Sequence, residues 1–79
     1  MGRRALVTGG TRGIGAAISV ALKKAGHDVA ANYAGNDDAA RAFSEETGIA
    51  VFKWDVGDYD SCEAGIRDAE KALGGPIEI

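Results

Sequence analysis

The chain has 79 residues, a formal net charge of −3, one cysteine and one histidine. Such a chain holds at most one domain and buries only about 60% of its unfolded surface, which is marginal without staples. One thiol permits no internal disulfide, and one thiol with one histidine offers no metal cluster, so a reducing cytoplasm is the expected setting. The acidic balance excludes the basic stripe that nucleic acid requires, and no run reaches the roughly eighteen apolar residues of a membrane helix.

The apolar run Ala5-Leu6-Val7 reads as a buried parallel strand. It leads into Thr8-Gly9-Gly10-Thr11-Arg12-Gly13-Ile14-Gly15, after which Ile14, Ala17, Ile18, Ala21, Leu22 and Ala25 recur at helical spacing. Lys23 and Lys24 sit in the last turn, where cations favour the helix dipole, and Gly26 stops the helix. Residues 28–33 form a second strand, followed by the turn Ala34-Gly35-Asn36. Asn36 is positioned to cap a helix from Asp37 to about Thr47, with Ala39, Ala42 and Phe43 on one face and Gly48 as its stop. Residues 49–54 are the most β-prone run. Asp58 then caps a helix from Tyr59 to about Leu73, with Cys62, Ile66, Ala69 and Leu73 on one face. Gly74-Gly75-Pro76 ends it, and Ile77-Glu78-Ile79 reads as the beginning of a fourth strand.

The order β-α-β-α-β-α-β predicts an α/β fold, the N-terminal half of a Rossmann-type doubly wound parallel sheet with strand order 3-2-1-4. Residues 1–79 then form a partial nucleotide-binding domain that looks truncated in its fourth strand, and an exposed apolar face is expected where a second half would pack.

A helix start leaves about four N–H groups unpaired and carries partial positive charge, so phosphate satisfies both. In this loop Gly9 can make the tight turn, Gly13 can admit a pyrophosphate, and Gly15 can let the helix pack closely on the sheet. An NTPase loop is excluded, because Ala16 and Ala17 stand where the lysine and the hydroxyl would have to be. The spacing is G-x-x-x-G-x-G rather than G-x-G-x-x-G. Asp55, Asp58 and Asp60 make no calcium loop, because Cys62 stands where a further ligand is needed and no glutamate closes the loop. His27 reads as a lone turn residue and Cys62 as a small core residue.

Thr8-Gly9-x-x-x-Gly13-Ile14-Gly15 after an N-terminal strand resembles the nicotinamide-cofactor site of the short-chain dehydrogenase/reductase family. Residues 32–38, 46–51 and 53–56 look like the bacterial NADPH-dependent acetoacetyl-CoA reductases of polyhydroxyalkanoate synthesis. The resemblance implies hydride transfer from NADPH to the 3-keto group of a short acyl thioester. It also implies a cytoplasmic homotetramer without nucleic-acid or membrane partners; a 3-oxoacyl-carrier-protein reductase is the near neighbour, and a non-catalytic nucleotide-binding half-domain is the other alternative.

The site residues so implied are Gly9, Gly10, Thr11, Arg12, Gly13, Ile14, Asn32, Asp55 and Val56. Where an NAD-binding chain places an aspartate after the second strand, this sequence has Asn32-Tyr33-Ala34. Arg12 in the glycine loop suits a 2′-phosphate, with a solvent-facing charge as its other reading, and this favours NADPH over NADH. Asp37 and Asp38 are explained as helix-start residues, with ribose contact as the alternative. Asp55-Val56 matches the family's acidic-apolar pair at the adenine; without the resemblance Asp55 is only a loop carboxylate. The family's Tyr-x-x-x-Lys pair is absent, since Tyr33 and Tyr59 are followed four residues on by Asp37 and Glu63, so no catalytic residue is named and the 79 residues alone are expected to be inactive.

Overall fold

The computed structural model describes residues 3–11 and 13–79. Its elements are β1 (Arg4–Val7), α1 (Gly13–Lys24), β2 (Asp28–Tyr33), α2 (Asp37–Thr47), β3 (Ala50–Lys53) and α3 (Tyr59–Leu73). The three strands form one parallel sheet in which β2 is central, with Ala5 opposite Val29 and Ala31 opposite Val51.

The caps lie where the side-chain chemistry puts them. Asn36 accepts from the Ala39 N–H at 3.0 Å, and Asp58 accepts from Asp60 and Ser61 at 3.1 and 3.3 Å. Gly48 and Gly74 close α2 and α3 in the left-handed region, with φ of 74° and 86°. Ile77–Ile79 is not a regular strand, but it lies along β1: Leu6 N–H donates to the Ile79 carbonyl at 3.2 Å and Glu78 N–H to the Arg4 carbonyl at 2.8 Å. The fourth segment thus occupies the side of β1 away from β2, consistent with the order 3-2-1-4.

Alternation along the strands builds two layers. Ala5, Val29, Ala31 and Ile49 form a buried cluster against which Val7, Leu22, Phe43 and Val51 pack, so α1 and α2 cover this face. The opposite face is crossed by α3, which touches all three strands. There Trp54 lies against the helix at Gly65, where an added Cβ would run into the indole ring.

Both sheet faces are therefore covered, contrary to the expected open apolar face. The large exposed apolar groups among the described residues are on helix flanks, on the turn after β3 and at the end segment instead: Ile14 and Ile18 on α1, Val56 on the turn, Tyr59 and Ile66 on α3, and Ile79. The apolar spacing of α1 also misplaces its buried stripe. Of the six residues that define it only Leu22 joins the core, while Ser19 is the fully buried residue of the helix. A hydroxyl can occupy that position because two backbone carbonyls accept its proton, as described below.

Candidate functional site

In a parallel sheet every strand delivers its chain to the same edge. Here the carboxyl ends of β1, β2 and β3 present the glycine turn, the Tyr33–Asn36 turn and the Asp55–Asp58 turn side by side. Local bonds tie these ends together. Gly10 N–H donates to the Asn32 carbonyl at 3.1 Å, and Trp54 N–H donates to the Tyr33 carbonyl at 3.0 Å.

Asn32 completes the connection with its side chain. It is 2% exposed; its Nδ2 donates to the Trp54 carbonyl at 3.0 Å, and its Oδ1 accepts from Gly9 N–H at 3.4 Å. One buried amide therefore joins the turn after β1 to the end of β3. Its side chain supports the loop from beneath, which the residue type alone does not reveal.

Ser19 plays the matching part from the helix. Its hydroxyl lies 3.1 Å from the Gly10 carbonyl and 2.9 Å from the Gly15 carbonyl, binding both arms of the turn. Sequence reasoning missed it; the available signal was a serine four residues after a loop glycine, where back-bonding to the i−4 carbonyl is possible.

The glycines divide into two kinds. Gly10 and Gly15 are crowded: a Cβ on Gly10 would lie 2.7 Å from Ser19 Oγ and 2.9 Å from Ala31 Cβ, and one on Gly15 would strike the Gly9 carbonyl. Gly15 thus brings the helix against its own loop, whereas Gly10 is the glycine that lies on the sheet. Gly9 and Gly13 have φ of 64° and 56°, with nothing within 4 Å of where a Cβ would stand. The loop is packed tight beneath and open above.

Thr11 is half-buried and joins Gly9, Tyr33, Ala34, Gly35 and Asn36 around a cavity of about 250 Å³. Ile14 is 81% exposed in the first turn of α1. Arg12 lies outside the described residues. Asp55 is exposed, and its Oδ1 accepts from Gly57 N–H at 2.8 Å, shaping the turn that also exposes Val56. The structure brings the glycine turn and the β2 turn to one cavity and sets Asp55-Val56 at the same sheet edge.

Away from the glycine turn, Lys53 Nζ lies 3.2 Å from Asp37 Oδ1 and 3.4 Å from Oδ2. The hydrogen bond from Lys53, then that from Tyr33, holds the Asp37 carboxyl below the ordinary carboxylate range. Burial, and next the bond to Asp37, raises the Tyr33 phenol above its usual value. Cys62 accepts from the Trp54 indole N–H at 3.2 Å, and His27 Nδ1 accepts from Arg3 N–H at 3.0 Å. Among the described residues no group of three or more His, Cys, Asp or Glu could hold a metal ion, and no helix is long and apolar enough to cross a membrane.

Residues 3–79 match the model of the short chain dehydrogenase family. Over all 79 residues the chain is 70% identical to an acetoacetyl-CoA reductase of Paracoccus denitrificans, of which it spans 32%. A crystal structure of a dehydrogenase/reductase from Sinorhizobium meliloti superposes with a TM-score of 0.87 at 38% identity, over 95% of this chain and 32% of that one. BdcA in complex with NADPH gives a TM-score of 0.79 at 38% identity, over 87% of this chain and 28% of that one. The chain therefore spans about a third of the length of these relatives, and it belongs to the short-chain dehydrogenase family.

Proposed function

We propose that the chain is the cofactor-binding part of an NADPH-dependent reductase that converts acetoacetyl-CoA to the 3-hydroxyacyl-CoA, as in polyhydroxyalkanoate synthesis. The observation that carries the reading is the two-sided loop: Gly10 and Gly15 are closed against Ser19, Ala31 and Gly9, while Gly9 and Gly13 lie open at the start of α1. A helix start with open backbone above it suits a pyrophosphate.

Three places in the chain are assigned to the dinucleotide. The backbone of Gly9, Gly10, Thr11, Gly13 and Ile14 receives the pyrophosphate at the positive end of α1. Arg12, which lies outside the described residues, would hold the 2′-phosphate, where a charge-assisted bond is worth about 1.5–3 kcal/mol, or roughly ten- to a hundredfold in affinity. Asp55, with one carboxylate oxygen committed to Gly57, offers the other to the adenine amine, beside the Val56 backbone. Asn32 serves by holding the glycine turn and the β3 end at a fixed separation. NADPH, when bound, supplies the hydride; the residues of this chain bind and orient it.

No catalytic residue is assigned here, because neither tyrosine has a lysine four residues on. The complete protein is read as a cytoplasmic homotetramer acting on a small acyl thioester. The test is to follow NADPH oxidation by the complete protein carrying this segment, with acetoacetyl-CoA and with a 3-oxoacyl-carrier thioester. Faster turnover of the CoA ester is expected, and no turnover by residues 1–79 alone. Preference for the carrier thioester would move the assignment to the 3-oxoacyl-carrier-protein reductases, for which 39% identity over 94% of the chain is the supporting observation. Turnover by the 79 residues would refute the division of labour.

A further inference from the structure

The register of the sheet puts Lys53 opposite Tyr33, so both side chains leave the same face at the carboxyl end of adjacent strands. The start of α2 adds Asp37: Lys53 Nζ is 3.2 Å from the Asp37 carboxylate, and Tyr33 and Asp37 line one groove. Tyr33 lines two spaces. On one side is the 250 Å³ cavity with Gly9, Thr11, Ala34, Gly35 and Asn36; on the other is a groove of about 470 Å³ with Asp37, Arg41, Ser44, Glu45 and Val51. Asn36 lines the first space, whereas its neighbour Asp37 lines the second.

The chemistry gives this placement a meaning. A carboxylate in the cavity beside the glycine turn would accept from ribose hydroxyls and repel a 2′-phosphate, favouring NADH. Asp37 is one residue from that cavity and is held out of it. Asp38, the other carboxylate of this turn, has a side chain that is 94% exposed and lies 4.0 Å from Arg41. We propose that Tyr33, Asp37 and Lys53 form a latch that sets cofactor preference, with Lys53 holding and neutralising the Asp37 carboxylate on the far side of Tyr33 so that the cavity accepts a 2′-phosphate. This rests on the NADPH reading above and assigns to Lys53 and Asp37 a specificity role that requires no contact between Lys53 and the cofactor.

The experiment measures dissociation constants of NADPH and NADH by fluorescence titration of the complete protein and of its Lys53→Met, Asp37→Asn and doubly substituted forms. In Lys53→Met the charge of Asp37 is unbalanced, so NADPH binding weakens by about threefold at low ionic strength, with a smaller effect in high salt and no weakening of NADH. Asp37→Asn in the Lys53→Met background restores NADPH affinity. An unchanged NADPH-to-NADH ratio in Lys53→Met overturns the latch, and so does a loss that Asp37→Asn fails to restore, which would place Lys53 on the phosphate itself. Wild-type protein that binds NADH at least as tightly as NADPH overturns the latch while keeping the nicotinamide site. Wild-type protein that binds neither overturns the cofactor reading, and the latch with it.

Discussion

Replacing Asn32 by aspartate keeps the volume of a buried side chain and removes its amide donor group, which tests the bond between the glycine turn and the end of β3. The amide is 2% exposed and its Nδ2 donates to the Trp54 carbonyl at 3.0 Å. After Asn32→Asp an acceptor oxygen faces that carbonyl at similar distance, so a buried acceptor loses its donor and a carboxylate is desolvated beside it. An unsatisfied buried group costs about 1–3 kcal/mol and a charged one more, so a loss of about 3 kcal/mol at neutral pH is expected. The contact with Gly9 N–H, at 3.4 Å, is long and returns little of this. Burial and the facing carbonyl raise the introduced carboxyl's pKa in the folded state above its unfolded value of about 3.9. The protonated form donates to Trp54, so the deficit is small below the ordinary carboxylate value and grows as pH rises through the raised folded value. Urea unfolding of the complete protein and its variant between pH 4 and pH 8 measures this. A variant as stable as wild type at neutral pH, or a deficit independent of pH, refutes the role given to Asn32.

Gly65→Ala should destabilise by about 1–3 kcal/mol, because the new methyl meets the Trp54 indole, even though alanine gains about 1 kcal/mol in helix propensity; a higher urea midpoint would contradict the packing. Ser19→Ala removes the hydroxyl shared by the Gly10 and Gly15 carbonyls and should cost about 1–2 kcal/mol while weakening NADPH binding, read by urea titration and fluorescence. In carbon-detected NMR titrations Asp37 should have a midpoint below the ordinary carboxylate range and Tyr33 one above the ordinary phenol value. Any support from Asp37 is present above its unfolded pKa and fades as pH falls through its lowered folded value, and any from Tyr33 fades as pH rises through its raised one. Lys53→Met should move Asp37 back toward the ordinary range; an unmoved midpoint would deny the ion pair its electrostatic effect.

Residue type makes the helix ends and the glycine turn legible. Asn36, Asp58, Gly48 and Gly74 act through local bonds within a few residues, which a short window of sequence contains. Helix α1 misleads for the opposite reason: its burial is decided by Gly15 and Ser19 against the Gly9-Gly10 backbone, so hydroxyl satisfaction outranks the apolar spacing of Ile14 and Ile18. Asn32 shows the same limit, since its amide finds Trp54 across 22 positions of sequence and only the β2–β3 register brings them together. The Lys53–Asp37 pair depends on that register too, together with the angle at which α2 leaves the sheet.

The most direct test of the proposed cofactor site is an amide NMR titration of the complete protein with NADPH. Saturable shifts centred on residues 9–14, 33–36 and 55–56 are expected, with Lys23, Lys24 and the outer flank of α3 unmoved. Saturable binding whose shifts fall elsewhere, or no binding at millimolar NADPH, would contradict the assignment of the carboxyl edge of this sheet as the dinucleotide site.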